Sequence, residues 1–175
     1  MSHPTALVLS GPPGVGKTTV GWRVFDRCID LGLDPAFVDL DLLGAAWPPP
    51  DDDPHHARLK ATNLAAVWSN YRQAGSRRLI IAGVVENHEE RLQLEDATGG
   101  PVTICRLTAP DTELAHRIRH RGREDESSLL PLITRAAELS TQLTTNDISN
   151  FTIPTTRPLD EITTQILTTW LHPST

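Results

Sequence analysis

The chain has 175 residues, of which 38% are hydrophobic and 22% charged, and its formal net charge is -6. This length and composition indicate one domain with a sizeable core, and the negative net charge argues against binding to duplex nucleic acid. No apolar run approaches the roughly 18 residues of a membrane span and no signal peptide is visible, so we expect a cytoplasmic protein that does not enter a membrane. Cys28 and Cys105 have neither disulfide nor zinc spacing, and both are expected to be buried.

The first predicted strand, Ala6–Ser10, runs directly into a G-x-x-x-x-G-K-T motif, which opens a predicted helix over Lys17–Leu31. A strand, this loop and a helix in succession predict a phosphate-binding loop, although a glycine-rich turn that binds nothing has to be weighed against it. The glycines allow a nest of inward N–H groups beside the positive end of the helix. Lys17 would reach the β- and γ-phosphates, and the Thr18 hydroxyl would hold Mg²⁺. The residues expected to bind the nucleotide here are Gly11, Pro12, Pro13, Gly14, Val15, Gly16, Lys17, Thr18 and Thr19.

The second predicted strand, Ala36–Leu40, carries two carboxylates at its end, Asp39 and Asp41. Residues i and i+2 of a strand face the same side, so we expect both to project together beside the phosphate-binding loop. One can then help to hold Mg²⁺ and accept a proton from a reacting hydroxyl, while the other holds the substrate. The alternative is a helix cap followed by a solvated acid.

The rest of the chain alternates short apolar runs with helical patterns, which predicts a parallel sheet covered by helices on both faces. Asp111 and Ser127 are expected to cap two of the helices. The whole chain, residues 1–175, is therefore expected to be one three-layer α/β/α domain with a five-stranded parallel sheet. The further predicted strands are Arg78–Gly83, Val102–Thr108 and Phe151–Pro154, and the further predicted helices are His55–Ala74, Asn87–Ala97, Asp111–Arg121, Ser127–Thr144 and Leu159–Leu171.

The third predicted strand lacks the acid that often ends such a strand in nucleotide hydrolases. This absence speaks against motor-type and AAA-type ATPases. Gly83, at the end of the strand, would let a substrate approach the backbone. Glu86, just beyond, is either a substrate contact or a capping or surface acid.

Four arginines fall within the segment 117–123: Arg117, Arg119, Arg121 and Arg123. Guanidinium groups neutralise the charge that spreads over a transferring phosphoryl group, which makes this segment a candidate lid. The alternative is a solvated helix face balanced by the acids that follow.

Residues 41–74 are expected to form the lobe that binds a phosphate acceptor. Arg58 is a candidate contact there, as are Asn63 and the aromatic residues Trp47 and Tyr71, whereas Trp68 continues a helical apolar stripe and is expected in the core. The neighbouring His55 and His56 lack metal-ligand spacing.

The phosphate-binding loop followed by Phe-Val-Asp-Leu-Asp at residues 37–41 resembles the small-molecule kinases of the nucleoside monophosphate kinase fold, such as shikimate, gluconate and adenylylsulfate kinases and chloramphenicol phosphotransferase. The resemblance implies that Asp39 lies near Mg²⁺ and the reacting hydroxyl and that Asp41 binds the substrate. It also implies a lid at about residues 117–128, with Arg117 against adenine and Arg121 or Arg123 on the phosphates. By position, Thr155, Thr156 and Arg157 would follow the last strand beside the adenine.

These patterns predict an ATP- and Mg²⁺-dependent phosphotransferase that moves the γ-phosphate to a hydroxyl of a small molecule. Its catalytic residues would be Lys17, Asp39 and Arg121, its metal ligands Thr18 and Asp39, and its acceptor contacts Asp41, Arg58 and Glu86. Two alternatives stay open. The first is an NTP hydrolase, since residues 41–44 match the D-x-x-G motif, although no N-K-x-D motif follows. The second is a nucleotide sensor without catalytic activity. The oligomeric state is not readable from the sequence.

Overall fold

The computed structural model describes residues 5–122 and 125–172. The strands of this part of the chain are β1 (Thr5–Ser10), β2 (Pro35–Asp39), β3 (Arg78–Ala82), β4 (Val102–Thr108) and β5 (Phe151–Pro154). The helices are α1 (Lys17–Asp30), α2 (Leu40–Leu43), α3 (Ala57–Gln73), α4 (His88–Thr98), α5 (Asp111–His120), α6 (Glu126–Asn146) and α7 (Leu159–Leu171). None of the helices in these residues is both long and apolar enough to cross a membrane.

All five strands pair in parallel, in the order β2-β3-β1-β4-β5. β1 is the central strand, and its Leu7 lies opposite Ile80 of β3 and Thr103 of β4. Parallel strands are buried on both faces, which explains why their sequences are nearly continuous apolar runs. The predicted five-stranded parallel α/β/α architecture is confirmed.

The sheet separates two apolar cores. Leu7, Leu9 and both cysteines belong to the core shared with α1, α5 and α7, and Val8 and Ile81 belong to the core shared with α3 and α4. Both cysteines are fully buried, as expected, and burial raises the pKa of the Cys28 thiol to about 11.

The indole of Trp68 lies in the second core, as expected, and its Nε1 donates a hydrogen bond of 3.2 Å to the carbonyl of Thr98. This bond satisfies the one polar atom of a large buried side chain, so the residue contributes packing at the end of α3 and does not face a ligand.

Both predicted helix caps are wrong by one or two residues. Pro110 occupies the N-cap of α5, so Asp111 already lies in the first turn. The N-cap of α6 is Asp125, whose carboxylate accepts the backbone N–H of Ser128 at 2.9 Å. An aspartate is at least as good an N-cap as a serine, and Asp125 is the residue placed to accept the free backbone N–H of Ser128.

Gly83 has a packing role that differs from the predicted one. A Cβ on this residue would lie 2.6 Å from Cδ1 and 2.8 Å from Cβ of Leu40. The space beside the glycine is therefore filled by a side chain of the protein itself, and the approach of a substrate to the Gly83 backbone stays a prediction.

Candidate active site

The loop between β1 and α1 lies at the carboxyl end of the central strand, where parallel α/β sheets bind their ligands. Gly11, Gly14 and Gly16 have φ angles of 153°, 80° and 99°, a region that only glycine adopts without strain. Gly16 is also the N-cap of α1, which points the positive end of the helix at the loop. These residues form the concave backbone that binds phosphate in such loops.

Two of these glycines also allow close packing. A Cβ on Gly11 would lie 2.6 Å from the carbonyl oxygen of Leu107, and a Cβ on Gly14 would lie 2.9 Å from Cγ1 of Ile118. At Gly16, by contrast, a Cβ would meet nothing within 4 Å. The loop is thus held against β4 and α5 on one side and open on the other.

The side chain of Lys17 reaches back over this loop. Its Nζ donates to the carbonyl oxygens of Gly11 at 2.8 Å and Pro12 at 3.2 Å. Burial lowers the pKa of Lys17 to about 8, while the Asp41 and Asp39 carboxylates act in the opposite direction and Arg121 adds to the lowering. Lys17, Asp39, Asp41 and Arg121, four of the six charged residues that the sequence predicts for catalysis and substrate binding, are therefore electrostatic neighbours.

Asp39 ends β2 and caps α2. One carboxylate oxygen accepts the Thr18 hydroxyl at 2.9 Å, and the other accepts the backbone N–H of Asp41 at 3.1 Å. A hydroxyl and a carboxylate on adjoining elements are oxygen donors of the kind that Mg²⁺ prefers, so these residues fit the predicted metal.

The predicted geometry of Asp41 is wrong, because β2 ends at Asp39 and residue 41 lies in the helical turn of α2. The side chain of Asp39 accepts the N–H of Asp41, which favours the turn over a continued strand. Asp41 is largely exposed, and one of its oxygens lies 3.5 Å from Nζ of Lys60. Its charge still acts on Lys17.

Arg117 connects α5 to the phosphate-binding loop and to the loop after β5. Its Nε donates to Glu113 at 2.7 Å, and its terminal nitrogens donate to Oγ1 and the carbonyl of Thr155 at 3.0 and 2.9 Å. A longer bond of 3.4 Å reaches the carbonyl of Val15. The guanidinium thus joins the two loops that flank the predicted adenine position, and Thr155 in turn bonds Thr108 of β4.

The other predicted basic residues lie further out. Arg121 is the exposed C-cap of α5, and Arg123 lies outside the described residues. Arg58 is exposed and pairs with Asp52 at 2.7 Å, and the exposed Arg157 donates to Gln165 of α7. The structure does not bring Arg58 or Arg157 into contact with the phosphate-binding loop.

Glu86 has protein partners on every side. Its carboxylate accepts Arg135 Nη2 at 2.7 Å and Gln142 Nε2 at 3.0 Å, and its carbonyl accepts the amide of Asn146 at 2.6 Å. Its N–H donates to Glu90 at 2.7 Å. Sequence reasoning missed Arg135 and Gln142, although their separation of seven residues places them on one face of α6.

The start of α3 is stabilised by the side chain of Asp53, to which the sequence analysis gave no role. Asp53 is buried, and its carboxylate accepts the N–H groups of Ala57, Arg58 and Leu59 at 2.7, 3.2 and 3.4 Å. The described residues contain no cluster of three or more His, Cys, Asp or Glu that could hold a metal ion, at His55 and His56 or elsewhere.

A protein-family model described as an AAA domain matches residues 7–138. The match shows the domain family and not an ATPase activity, so the expectation that the missing acid at the end of β3 speaks against AAA-type ATPases stays a prediction. Asp39 at the end of β2 lies opposite Ala82, the last residue of β3. The acid is placed one strand further along, at the same level.

Comparison with solved structures confirms a P-loop kinase-like fold. A gluconokinase from Sinorhizobium meliloti 1021 is 24% identical, with a TM-score of 0.62 over 98% of this chain and 94% of that one. A tunicamycin resistance protein from Deinococcus radiodurans is 18% identical, with a TM-score of 0.66 over 94% of each chain. A shikimate kinase from Acinetobacter baumannii in complex with shikimate is 18% identical, with a TM-score of 0.62 over 97% and 94%. Comparison with curated proteins gives no match.

Proposed function

The chain belongs to the AAA domain family of P-loop proteins, and we propose that it is an ATP- and Mg²⁺-dependent kinase of a small hydroxylated molecule. The observation that carries the proposal is that Thr18 bonds Asp39 beside the glycine loop, while Lys17, which bonds the loop carbonyls, is acted on by the charge of Asp39. A hydrolase or a sensor needs a phosphate-binding loop as well, but a carboxylate beside the loop also serves an acceptor hydroxyl.

On the phosphate side, the chain supplies positive charge and N–H donors. The loop of residues 11–16 and the start of α1 bind the β- and γ-phosphates, and Thr19 continues this contact. Lys17 exchanges its bonds to the Gly11 and Pro12 carbonyls for bonds to phosphate oxygens. Arg121, whose charge already acts on Lys17, neutralises the charge of the transferring group.

Thr18 and Asp39 hold Mg²⁺ in this proposal, since the Thr18 hydroxyl and an Asp39 carboxylate oxygen lie 2.9 Å apart at the start of α1. The ion would neutralise phosphate charge and orient the nucleotide. Asp39 also accepts the proton of the acceptor hydroxyl, as a carboxylate at the reacting centre can.

The adenine lies between α5 and the loop after β5, where Arg117 already contacts Thr155 and Arg157 follows. The acceptor lies over α2, α3 and the β3–α4 segment, in a lobe of residues 41–74 that carries Asp41 and Arg58. Glu86 acts there through Arg135, because its own carboxylate is occupied.

The test is ADP release from Mg-ATP over a panel of nucleosides, aminoglycosides, sugar acids, shikimate and adenylylsulfate. We expect one acceptor class to stimulate release, and we expect Lys17→Ala and Asp39→Ala to abolish it. Asp39→Asn separates chemistry from folding, because the amide oxygen still caps α2. It should lose at least about 100-fold in kcat while its melting temperature stays close to that of the wild type.

ADP release that no acceptor stimulates would make the chain an NTP hydrolase and would overturn the proposal. ATP binding without turnover on the panel, equal in wild type and Asp39→Asn, would instead indicate a sensor. An Asp39→Asn variant with full acceptor-dependent activity would remove Asp39 from the reaction.

A further inference from the structure

We propose that the acceptor carries no anionic group and is a neutral or amine-bearing hydroxyl compound. The inference rests on the proposed kinase function and concerns the basic side chains around the acceptor lobe. Three of these side chains, Arg58, Lys60 and Arg135, are each paired with a carboxylate of the protein. The guanidinium of Arg72, in the last turn of α3, lies over the ring of Trp68.

Lys60 lies close to the carboxylate of Asp41. Its aliphatic chain packs on Gly44, where a Cβ would lie 2.6 Å from Cε, and its ammonium lies 3.5 Å from Asp41. Its charge also acts on Glu90, which neighbours Glu86. Two carboxylates therefore compete for one ammonium, and an anionic acceptor would be a third competitor.

Among these three cations, Arg135 has the least exposed carboxylate partner. Its guanidinium lies 2.7 Å from Glu86, whose side chain is 20% exposed and also accepts Gln142. An acceptor carboxylate or phosphate that took Arg135 would leave Glu86 half-buried without its cation. Separating a partly buried pair in this way is strongly unfavourable, because the remaining charge stays desolvated.

Arg58 lies in a strongly acidic surrounding. Its pKa is raised by the bond to Asp52 first, and by the charges of Asp52, Asp53 and Glu89 as well. Although the pair with Asp52 is exposed and screened, an anion approaching Arg58 meets three carboxylates at once. Positive charge at this edge of the lobe is more than balanced.

An amine or a hydroxyl finds hydrogen-bond acceptors here, whereas an anion finds cations that are already paired. Asp41 and Glu86 pair with Lys60 and Arg135. On the phosphate side, the charges of Asp39, Asp41 and Arg121 act on Lys17. A hydroxyl or amine can donate hydrogen bonds to the carboxylate oxygens without breaking any pair. A site that holds its own cations in pairs rejects an anionic acceptor through the groups that it would leave unpaired.

The binding test uses the full chain loaded with Mg²⁺ and a non-hydrolysable ATP analogue, so that the phosphate site is filled. Malonate and sulfate are the anionic probes, and the melting temperature is compared between the wild type and Arg135→Gln at matched ionic strength. We expect both proteins to respond equally. Glu86→Gln, which removes the charge that pairs with Arg135, should gain a malonate-dependent rise of several degrees. Glu95→Gln breaks the Arg91–Glu95 pair of α4 and should behave as the wild type.

A malonate-dependent rise in the wild type that Arg135→Gln or Arg58→Gln abolishes would overturn the inference. A second arm separates this outcome from failure of the kinase proposal. It measures phosphate transfer to matched acceptors, such as glucosamine, glucose and gluconate, or a nucleoside and its 5′-phosphate. We expect at least about 10-fold higher kcat/KM for the members without an anion. Preference for the anionic members overturns the acceptor class and leaves the kinase standing, whereas ATP consumption that needs no acceptor overturns the kinase.

Discussion

The phosphate side and the acceptor side of the candidate site are built in different ways. The phosphate side consists of backbone, held by glycines whose missing Cβ atoms let the loop approach β4 and α5. The acceptor side consists of charged side chains that meet across elements far apart in the chain, such as Asp41 with Lys60 and Glu86 with Arg135. The first is a fixed backbone loop, and the second is a set of ion pairs between side chains.

This difference assigns different tasks to the two sides. Backbone N–H groups bind any nucleoside triphosphate, and their position depends little on side-chain chemistry. Ion pairs set the charge that an acceptor must bring, and one substitution can change that charge. Substitutions of the loop glycines should therefore affect folding and all activity together, whereas substitutions of the exposed ion pairs should change selectivity and leave stability nearly intact.

The largest effect is expected from Gly11→Ala. The new Cβ would lie 2.6 Å from a backbone oxygen of β4, and the residue would have to keep a φ of 153°. We expect a loss of about 2 to 4 kcal/mol in the free energy of unfolding and no measurable ATP binding. Urea unfolding and titration with a fluorescent ATP analogue measure the two quantities.

Gly32→Ala is the matched control, because Gly32 has a φ of 69° and a Cβ there would meet nothing within 4 Å. It should show the backbone strain alone, about 1 kcal/mol, with ATP binding unchanged. Equal losses for the two variants would show that close approach to Leu107 contributes nothing.

A change in the opposite direction is expected from Lys17→Met without nucleotide or Mg²⁺. Burial lowers the pKa of Lys17 from 10.5 to about 8, so the charged ammonium destabilises the folded state at pH 7. The variant should be about 1 to 3 kcal/mol more stable than the wild type and inactive.

The sign of the pH dependence follows from this shift. Between pH 8 and 10.5 the unfolded chain keeps the proton that the folded chain has released, so wild-type stability rises with pH. The advantage of Lys17→Met should therefore shrink from pH 7 to pH 9.5 in urea unfolding. Lys60→Met, at the chain's other lysine, should not be stabilised, and a destabilised Lys17→Met would contradict the argument.

The fold and the phosphate side were predictable because their signals are local. The motif at residues 11–18 and five apolar runs stand in the sequence within a few residues of where the structure uses them. The acceptor side was not predictable in the same way. The turn after β2 includes a hydrogen bond from the N–H of Asp41 to the Asp39 carboxylate. The contact between Glu86 and Arg135 joins residues that are far apart in the sequence and forms only when α6 packs beside the β3–α4 segment.

A smaller effect is expected at Arg117, where the two kinds of construction meet. Its fork of bonds to Glu113 and Thr155 cannot be reproduced by lysine. Arg117→Lys should lose about 1 to 2 kcal/mol of stability and roughly 10-fold in ATP affinity, nearly as much as Arg117→Ala. Calorimetric titration with a non-hydrolysable ATP analogue gives the affinity. Arg119→Ala, at an exposed site two residues along, is the control. A fully functional Arg117→Lys would show that only the positive charge at this position matters, and not the forked hydrogen bonds.

The smallest effect sharpens the comparison within the acceptor side, where two adjacent acids have opposite roles. Asp53 is buried and accepts three N–H groups of the first turn of α3, so Asp53→Ala should lose about 1 to 2 kcal/mol. Asp52 is exposed and pairs with the exposed Arg58 side chain, so Asp52→Ala should leave the melting temperature unchanged and alter the response to charged acceptors. Thermal unfolding of the two variants decides the point. If the melting temperature of Asp52→Ala also falls, the pair of Asp52 with Arg58 stabilises the fold. The contrast between a fixed phosphate-binding loop and ion pairs that do not affect stability would then not hold at α3.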